Sequence, residues 1–275
     1  MRKFKVCSIQ LSSESKVPEK NIEKAIGWLR IAVKEYNPDL IVFPETVTTG
    51  FNPGVSKSDL WNMIDKVPGK LTESICKEAR RIKKFIVWPT YERGVKSGEI
   101  FNSAVLINDK GEIIGKYRKT HLYPKERIKS GGWSTPGRNL QVFKTPFAKI
   151  GIIICFDGDF PLPCMKLTEK GAEVIVRPSA FLRSYEVWKL TGQARAYDNH
   201  VFIINSNACG KDAAGTNYFG NSMIISPDLQ LLAHNNSQEG VICAELRPEK
   251  FLSLNYGSGE KRVFDHLKDR NEKAK

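Results

Sequence analysis

Three side chains of this 275-residue chain sit where apolar runs end, and their types complement one another. Cys155 closes the run Lys149-Ile-Gly-Ile-Ile-Ile-Cys155 and is followed at once by Phe156-Asp157-Gly158-Asp159-Phe160-Pro161. A β-branched run bounded by turn formers reads as a central strand. A thiol at its exit stands where open α/β sheets bind ligands. Position alone leaves Cys155 either a nucleophile or a small core hydrophobe. Glu45 ends Asp39-Leu-Ile-Val-Phe-Pro-Glu45, and Lys119 ends a hairpin strand in Tyr117-Arg-Lys119-Thr-His-Leu-Tyr-Pro124. Taken singly, Glu45 reads as a surface acid or a neighbour of a helix cap, and Lys119 as one of many basic residues. Together the three form a set for acyl chemistry. A cysteine needs a base or a positive neighbour to become a thiolate. Glu45 can take the thiol proton and pass it to a leaving amine. Lys119 can stabilise a tetrahedral oxyanion, helped by the backbone N–H just after the nucleophile.

Strand-like and helix-like segments alternate along the chain and must hold these exits together. Strands are expected at Phe4–Leu11, Asp39–Phe43, Phe85–Pro89, Lys149–Cys155, Glu173–Val176 and Val201–Asn205, with Val241–Leu246 as the last. Helical spacing marks Lys20–Tyr36, Leu71–Lys84, Pro163–Lys170 and Glu186–Asn199. Hairpins are expected at Ser103–Ile107 with Glu112–Lys116, and at Phe219–Ile225 with Gln230–Ala233. The segment from Lys119 to Arg138, rich in Gly, Pro and charge, reads as a long loop, and such loops inside compact domains are often functional. No linker separates two cores. The chain therefore reads as one domain over residues 1–260 with a basic C-terminal tail over 261–275. Its fold class is α/β: two sheets with helices on their outer faces, a four-layer α-β-β-α sandwich.

A hydrophobic content of 41% supports a packed core rather than disorder. The six cysteines are scattered with no C-x-x-C pair, and chain size argues for free thiols. There is no zinc-protease, EF-hand, P-loop or dinucleotide fingerprint, so neither a metal nor a cofactor is expected. The net charge of +13 is spread over solvated faces, the densest run being Lys77–Lys84, and lacks an aromatic-lined patch for nucleic acid. It could still steer anionic ligands. No apolar stretch is long enough to span a bilayer, and the N-terminal run is too short for a signal-peptide core. The expectation is a soluble cytoplasmic protein without a nucleic-acid or membrane partner.

The three motifs, Phe43-Pro-Glu45, Arg118-Lys119-Thr-His-Leu and Ile154-Cys155-Phe-Asp157, stand in the order seen in the nitrilase superfamily of carbon–nitrogen hydrolases, which this chain resembles. The likeness runs from about Phe4 to Leu246 and takes in Gly171-Ala-Glu-Val-Ile-Val176, Arg195-Ala-Tyr-Asp-Asn199, Asn205 and Phe219-Gly-Asn-Ser222. It implies the α-β-β-α sandwich, a Glu45-Lys119-Cys155 triad, and a second glutamate that positions substrate and lysine, best matched by Glu126. It also implies a pocket lined by Phe156, Ser179 and Ala180, and assembly as a homodimer through outer helices, with Phe251–Tyr256 crossing to the partner. Two departures stand out. The usual Phe-Pro-Glu followed by an arginine is replaced by Phe160-Pro-Leu162-Pro163-Cys164-Met165, which implies altered packing of the next helix. Asp198 also replaces the usual glutamate of Arg-Ala-x-Glu-Asn. Nitrilases proper carry tryptophan directly after the nucleophile, where this chain has Phe156, so the resemblance points to an amidase acting on a small-molecule carboxamide. The alternative is an N-carbamoyl amino acid or amine amidohydrolase with the same triad. Arg177 and Arg183 would then hold a substrate carboxylate, or else are surface or inter-subunit arginines. His121, two residues past Lys119, is not the base in this pattern.

Overall fold

The computed structural model describes residues 1–248 and the backbone of 253–255 and 261–263. Its first six-stranded sheet contains β1 (Phe4–Gln10), β2 (Leu40–Val42), β3 (Phe85–Arg93), β4 (Ile100–Ile107), β5 (Ile113–Arg118) and β14 (Gly240–Leu246), in the order β14-β1-β2-β3-β4-β5. The second contains β6 (Val142–Lys144), β7 (Lys149–Ile152), β8 (Val174–Ser179), β9 (Phe202–Asn207), β12 (Met223–Ile225) and β13 (Leu231–His234), in the order β13-β12-β9-β8-β7-β6. Each has three parallel strands at its centre, β1-β2-β3 and β7-β8-β9. Parallel strands need crossovers, and here these are helices on the outer faces. Helices α1 (Pro18–Tyr36) and α3 (Lys70–Ile82) serve the first sheet, and α4 (Pro161–Glu169) and α5 (Tyr185–Asn199) the second.

The strand pleat sorts the core into layers. On β2, Leu40 and Val42 pack with Ile150, Ile152 and Ile204 of the opposite sheet, while Ile41 packs with Leu29, Ala32 and Ile75 beneath the helices. Alternate residues face opposite sides of a strand, so one short apolar run feeds both layers. The expected four-layer sandwich is the observed architecture.

Several expectations are corrected. The strand from Lys149 ends at Ile152, and Cys155 opens a short 3-10 turn, Cys155–Asp159. The Asp157 side chain accepts the Ile154 N–H and bends the chain out of the sheet. Phe219 does not belong to the late hairpin: β11 (Asn217–Phe219) pairs with β10 (Cys209–Lys211), and only β12 pairs with β13. The left-handed Gly220 and Asn221 (φ 67° and 56°) separate the two. The Lys119–Arg138 loop contains two 3-10 turns, Pro124–Glu126 and Ile128–Ser130. An unanticipated helix, α2 (Lys57–Met63), starts where Ser56 accepts the Asp59 N–H. With Leu60 its sole buried residue, it lacks the apolar stripe that periodicity detects. β14 is not the last strand: β15 (Ser253–Asn255) and β16 (Lys261–Val263) pair beyond it, across the expected boundary at 260. The remainder of Phe251–Tyr256 and of the 261–275 tail lies outside the described residues. Among the described residues, no helix is long and apolar enough to cross a membrane.

The two helices over the first sheet are joined by Glu78 of α3. It accepts from Arg30 of α1 at 3.0 Å and from Arg81 at 2.5 and 2.8 Å. The Arg81 hydrogen bonds, assisted by Arg30 and opposed by burial, hold its carboxyl down at about 2. A carboxyl depressed in the folded state stabilises the protein above its unfolded value and loses that contribution as pH falls toward the folded one. Glu78→Gln is therefore expected to flatten the fall in thermal midpoint between about pH 4.5 and about pH 2. An acid limb as steep as that of the unsubstituted protein would contradict this role.

Candidate active site

Each of the expected site residues except Phe156 is buried, and the strand exits bring them to one place. Lys119, fully buried, follows β5, and its backbone N–H bonds to the Asn102 carbonyl on β4 at 2.8 Å. Its Nζ donates to Glu45 Oε1 at 2.8 Å and to Glu126 Oε2 at 2.5 Å. Burial opposes its charge, but the Glu126 and Glu45 carboxylates outweigh that and raise its pKa above the ordinary lysine value. The ammonium also lies 5.4 Å from the centre of the Phe51 ring.

Glu45 is held at both oxygens. Oε1 accepts from Lys119 and from Asn102 Nδ2 at 2.7 Å, and Oε2 accepts the Ala180 N–H at 2.7 Å. The Glu45 N–H in turn donates to the Ser179 carbonyl at 3.3 Å. The end of β8 thus brackets this carboxylate through its backbone, while the Ser179 hydroxyl turns away to the Arg177 carbonyl at 3.2 Å. Ala180 packs with Phe51 and Tyr218, and Tyr123 lies against that cluster. Glu126 Oε1 accepts from Asn102 Nδ2 at 2.9 Å, and its Oε2 also takes the Tyr123 N–H at 2.9 Å. Burial, with the nearby Glu45 charge, pushes the Glu126 carboxyl up despite Lys119.

Asn102 was not anticipated. One amide nitrogen bridges Glu45 and Glu126, so it fixes the spacing of the two carboxylates around the ammonium. The signal was available: Asn102-Ser103 is a polar pair inside an otherwise apolar strand, and buried polar groups need partners.

Cys155 stands at the opposite exit with φ 45°, in the left-handed region that residues other than glycine rarely occupy. It is 7% exposed. Burial and the Glu45 charge push its thiol up, while Lys119 and Arg177 act in the other direction. Phe156, the next residue, packs edge-on to Tyr123 and Phe160 with ring centres 5.5 and 5.2 Å apart.

Asp157 stitches this turn to the lysine exit. Its Oδ1 accepts from the Thr120 hydroxyl at 2.9 Å, the His121 N–H at 2.8 Å and His121 Nδ1 at 3.0 Å, and its Oδ2 from Tyr117 at 2.7 Å. Burial resists its charge, but these donors keep its carboxyl below the usual range. His121 is thereby occupied, and it stacks on Phe160 at 4.4 Å. A cavity of about 440 Å³ opens beside the turn, lined by Thr120, His121, Phe156 and Phe160, with Arg127 and Lys129 also in its wall. That volume suits a small ligand. A larger cavity of about 620 Å³ runs past Phe101, Arg118 and Arg138 and contains neither Phe156 nor Thr120, the residues that follow Cys155 and Lys119. Among the described residues, no cluster of His, Cys, Asp and Glu could hold a metal ion.

Arg177 is neither a surface arginine nor free to hold a ligand. It is 1% exposed; its Nε donates to the Cys155 carbonyl at 2.8 Å, Nη1 to Thr191 at 2.9 Å and Nη2 to Asp159 at 3.2 Å. Arg195 holds the next carbonyls, Gly158 and Asp159, at 3.2 and 3.3 Å. Guanidinium groups from β8 and α5 thus brace the turn in a chain that lacks the usual carboxylate and arginine after Phe160-Pro161. Arg183 bonds to Asp159 and lies 5.5 Å from the Phe156 ring centre. Gly158 provides the notch for Arg177: a Cβ there would lie 2.3 Å from both Nε and Cζ. Gly158→Ala is expected to destabilise the protein by about 1–3 kcal/mol through overpacking. The readout is a lower urea midpoint, and an unchanged midpoint would show that the guanidinium does not need this notch.

The carbon-nitrogen hydrolase family model matches residues 5–256. A nitrilase from Pyrococcus abyssi is 32% identical, covering 98% of this chain and 97% of its own. The omega-amidase NIT3 of Saccharomyces cerevisiae is 28% identical over 98% of this chain and 97% of its own. Among solved structures, Saccharomyces cerevisiae Nit3, a member of branch 10 of the nitrilase superfamily, superposes with a TM-score of 0.81 at 26% identity, covering 90% of this chain and 91% of that one. An amidase from Nesterenkonia sp. shares the fold with a TM-score of 0.79 at 20% identity, over 97% of this chain and 92% of that one. With these likenesses spanning nearly its whole length, and with Glu45, Lys119 and Cys155 at three strand exits, the chain belongs to the carbon–nitrogen hydrolase family.

Proposed function

We propose that the protein is a cysteine-dependent amidase that converts a small carboxamide to the carboxylic acid and ammonia through a thioester. The observation that supports this best is the buried Lys119 ammonium, bonded at once to Glu45 and Glu126, in a site whose charges act on the Cys155 thiol. In this reading Glu45 takes the thiol proton as Cys155 Sγ attacks the amide carbonyl. Lys119 and the Phe156 backbone N–H stabilise the oxyanion. Glu45 then gives the proton to the departing nitrogen, and ammonia leaves the thioester. A water deprotonated by Glu45 attacks the thioester, and collapse releases the acid and restores the thiol. Glu126 and Asn102 hold the lysine and the base in register. Phe156, with the cavity beside it, meets the acyl group, and the backbone around Ser179 and Ala180 fixes the base.

Omega-amidase relatives and the phenylalanine after the nucleophile favour an amide over a nitrile substrate. The carbamoyl alternative would use Arg177 and Arg183 to bind a carboxylate; Arg177 is committed to the Cys155 carbonyl, Thr191 and Asp159, and Arg183 is bonded to Asp159. Assembly as a homodimer belongs to the same proposal, and light scattering measures it.

An ammonia-release screen over aliphatic, aromatic and carbamoyl amides tests the chemistry. Release from at least one simple amide is expected, with Cys155→Ala reducing kcat by about 10³-fold or more and Lys119→Met by about 10²–10³-fold. No release by the unsubstituted protein, or equal release by Cys155→Ala, would overturn the reading. Carbon dioxide release from N-carbamoyl amino acids would move it to the carbamoyl class.

A further inference from the structure

All six cysteines are free, and two of them face each other across a strand pair: Cys7 on β1 is the direct register partner of Cys243 on β14. The kind of pairing follows from the neighbouring hydrogen bonds. The Lys5 carbonyl accepts the Asp39 N–H, so it points toward β2. Backbone polar groups alternate sides along a strand, so those of Cys7, two residues on, also point to β2 and away from β14. Cys7 and Cys243 therefore oppose each other as a non-hydrogen-bonded pair, the type in which side chains approach most closely. Such pairs have Cα atoms about 4.5 Å apart, within the ~4.4–6.8 Å that a disulfide spans. Both side chains lie on the helix-covered face, with Cys7 in the core and Cys243 packed against it but partly exposed. No other cysteine of the described residues meets a cysteine in strand register.

We propose that Cys7 and Cys243 are a disulfide-forming site, oxidised by a peroxide at the partly exposed Cys243, that joins the first strand of the chain to edge strand β14. The Cys243 sulfur attacks the O–O bond of hydrogen peroxide, giving a sulfenic acid and one water. The Cys7 sulfur then attacks the Cys243 sulfur and gives up its proton as the S–OH oxygen leaves as a second water. The dithiol loses two electrons and the peroxide is reduced to two waters. The two thiols shift in opposite directions: the facing Cys7, together with Lys5, holds the Cys243 thiol down against burial, while the facing Cys243 and burial push the Cys7 thiol up. The bridge ties residue 7 to residue 243, and long closed loops gain most from such a link.

The test is peptide mapping of the whole protein after mild hydrogen peroxide treatment. The expected result is a linked pair of peptides containing Cys7 and Cys243, lighter by about 2 Da than the two thiols and separated again by dithiothreitol. A rise in thermal midpoint on the order of 5–10 °C should accompany it. Cys243→Ser should remove both the link and the rise while leaving amide hydrolysis unchanged. Recovery of Cys7 and Cys243 as separate thiols, or with Cys243 over-oxidised and unlinked, would overturn the proposal. These outcomes are read by mass and do not depend on whether the protein hydrolyses amides.

Discussion

A lysine ammonium with no exposure to solvent is the constraint around which this molecule is arranged. Removing such a charge from water costs several kcal/mol unless close partners compensate, and losing one partner of a buried pair is far more damaging than losing a surface pair. Here the partners come from different parts of the chain: Glu45 after β2 and Glu126 in the loop after β5, with Asn102 of β4 spanning them. The three charged groups must arrive together for any one of them to be tolerated. The charge that would serve an oxyanion is therefore also what fixes the two carboxylates around it.

The two sheets contribute unequally to this arrangement. The first supplies the ammonium, the bridging amide and both carboxylates; the second supplies Cys155 and the backbone N–H of Ala180 that anchors Glu45. A second link between the halves is Asp157, which gathers donors from Tyr117, Thr120 and His121. A displaced Asp157 would let the Cys155 turn drift relative to the lysine exit, and under the proposed mechanism a shift of about 1 Å there would slow the reaction.

Much of this was legible in the sequence because strand exits leave a mark: a strand-like run that ends on a side chain able to do chemistry. Glu45, Lys119 and Cys155 carry that mark, and the resemblance supplied Glu126. Asn102 lies within a strand, where period-two patterning expects a core residue. Arg177 also stands inside an apolar run, and its partners are carbonyls and a glycine notch that composition does not reveal. The exact end of β7 depended on one hydrogen bond from the Ile154 N–H to the Asp157 side chain, and α2 on a cap with little apolar stripe. What sequence patterning records is burial and periodicity; what it omits is which buried polar group meets which.

The left-handed backbone at Cys155 has a consequence for how the protein can change over time. A non-glycine residue in that region gives up on the order of 1 kcal/mol of stability. Glycine would relieve the strain but remove the thiol. Under the proposed mechanism the most reactive position is thus one where folding alone would select a different residue, so retention of cysteine there is set by chemistry rather than by the fold.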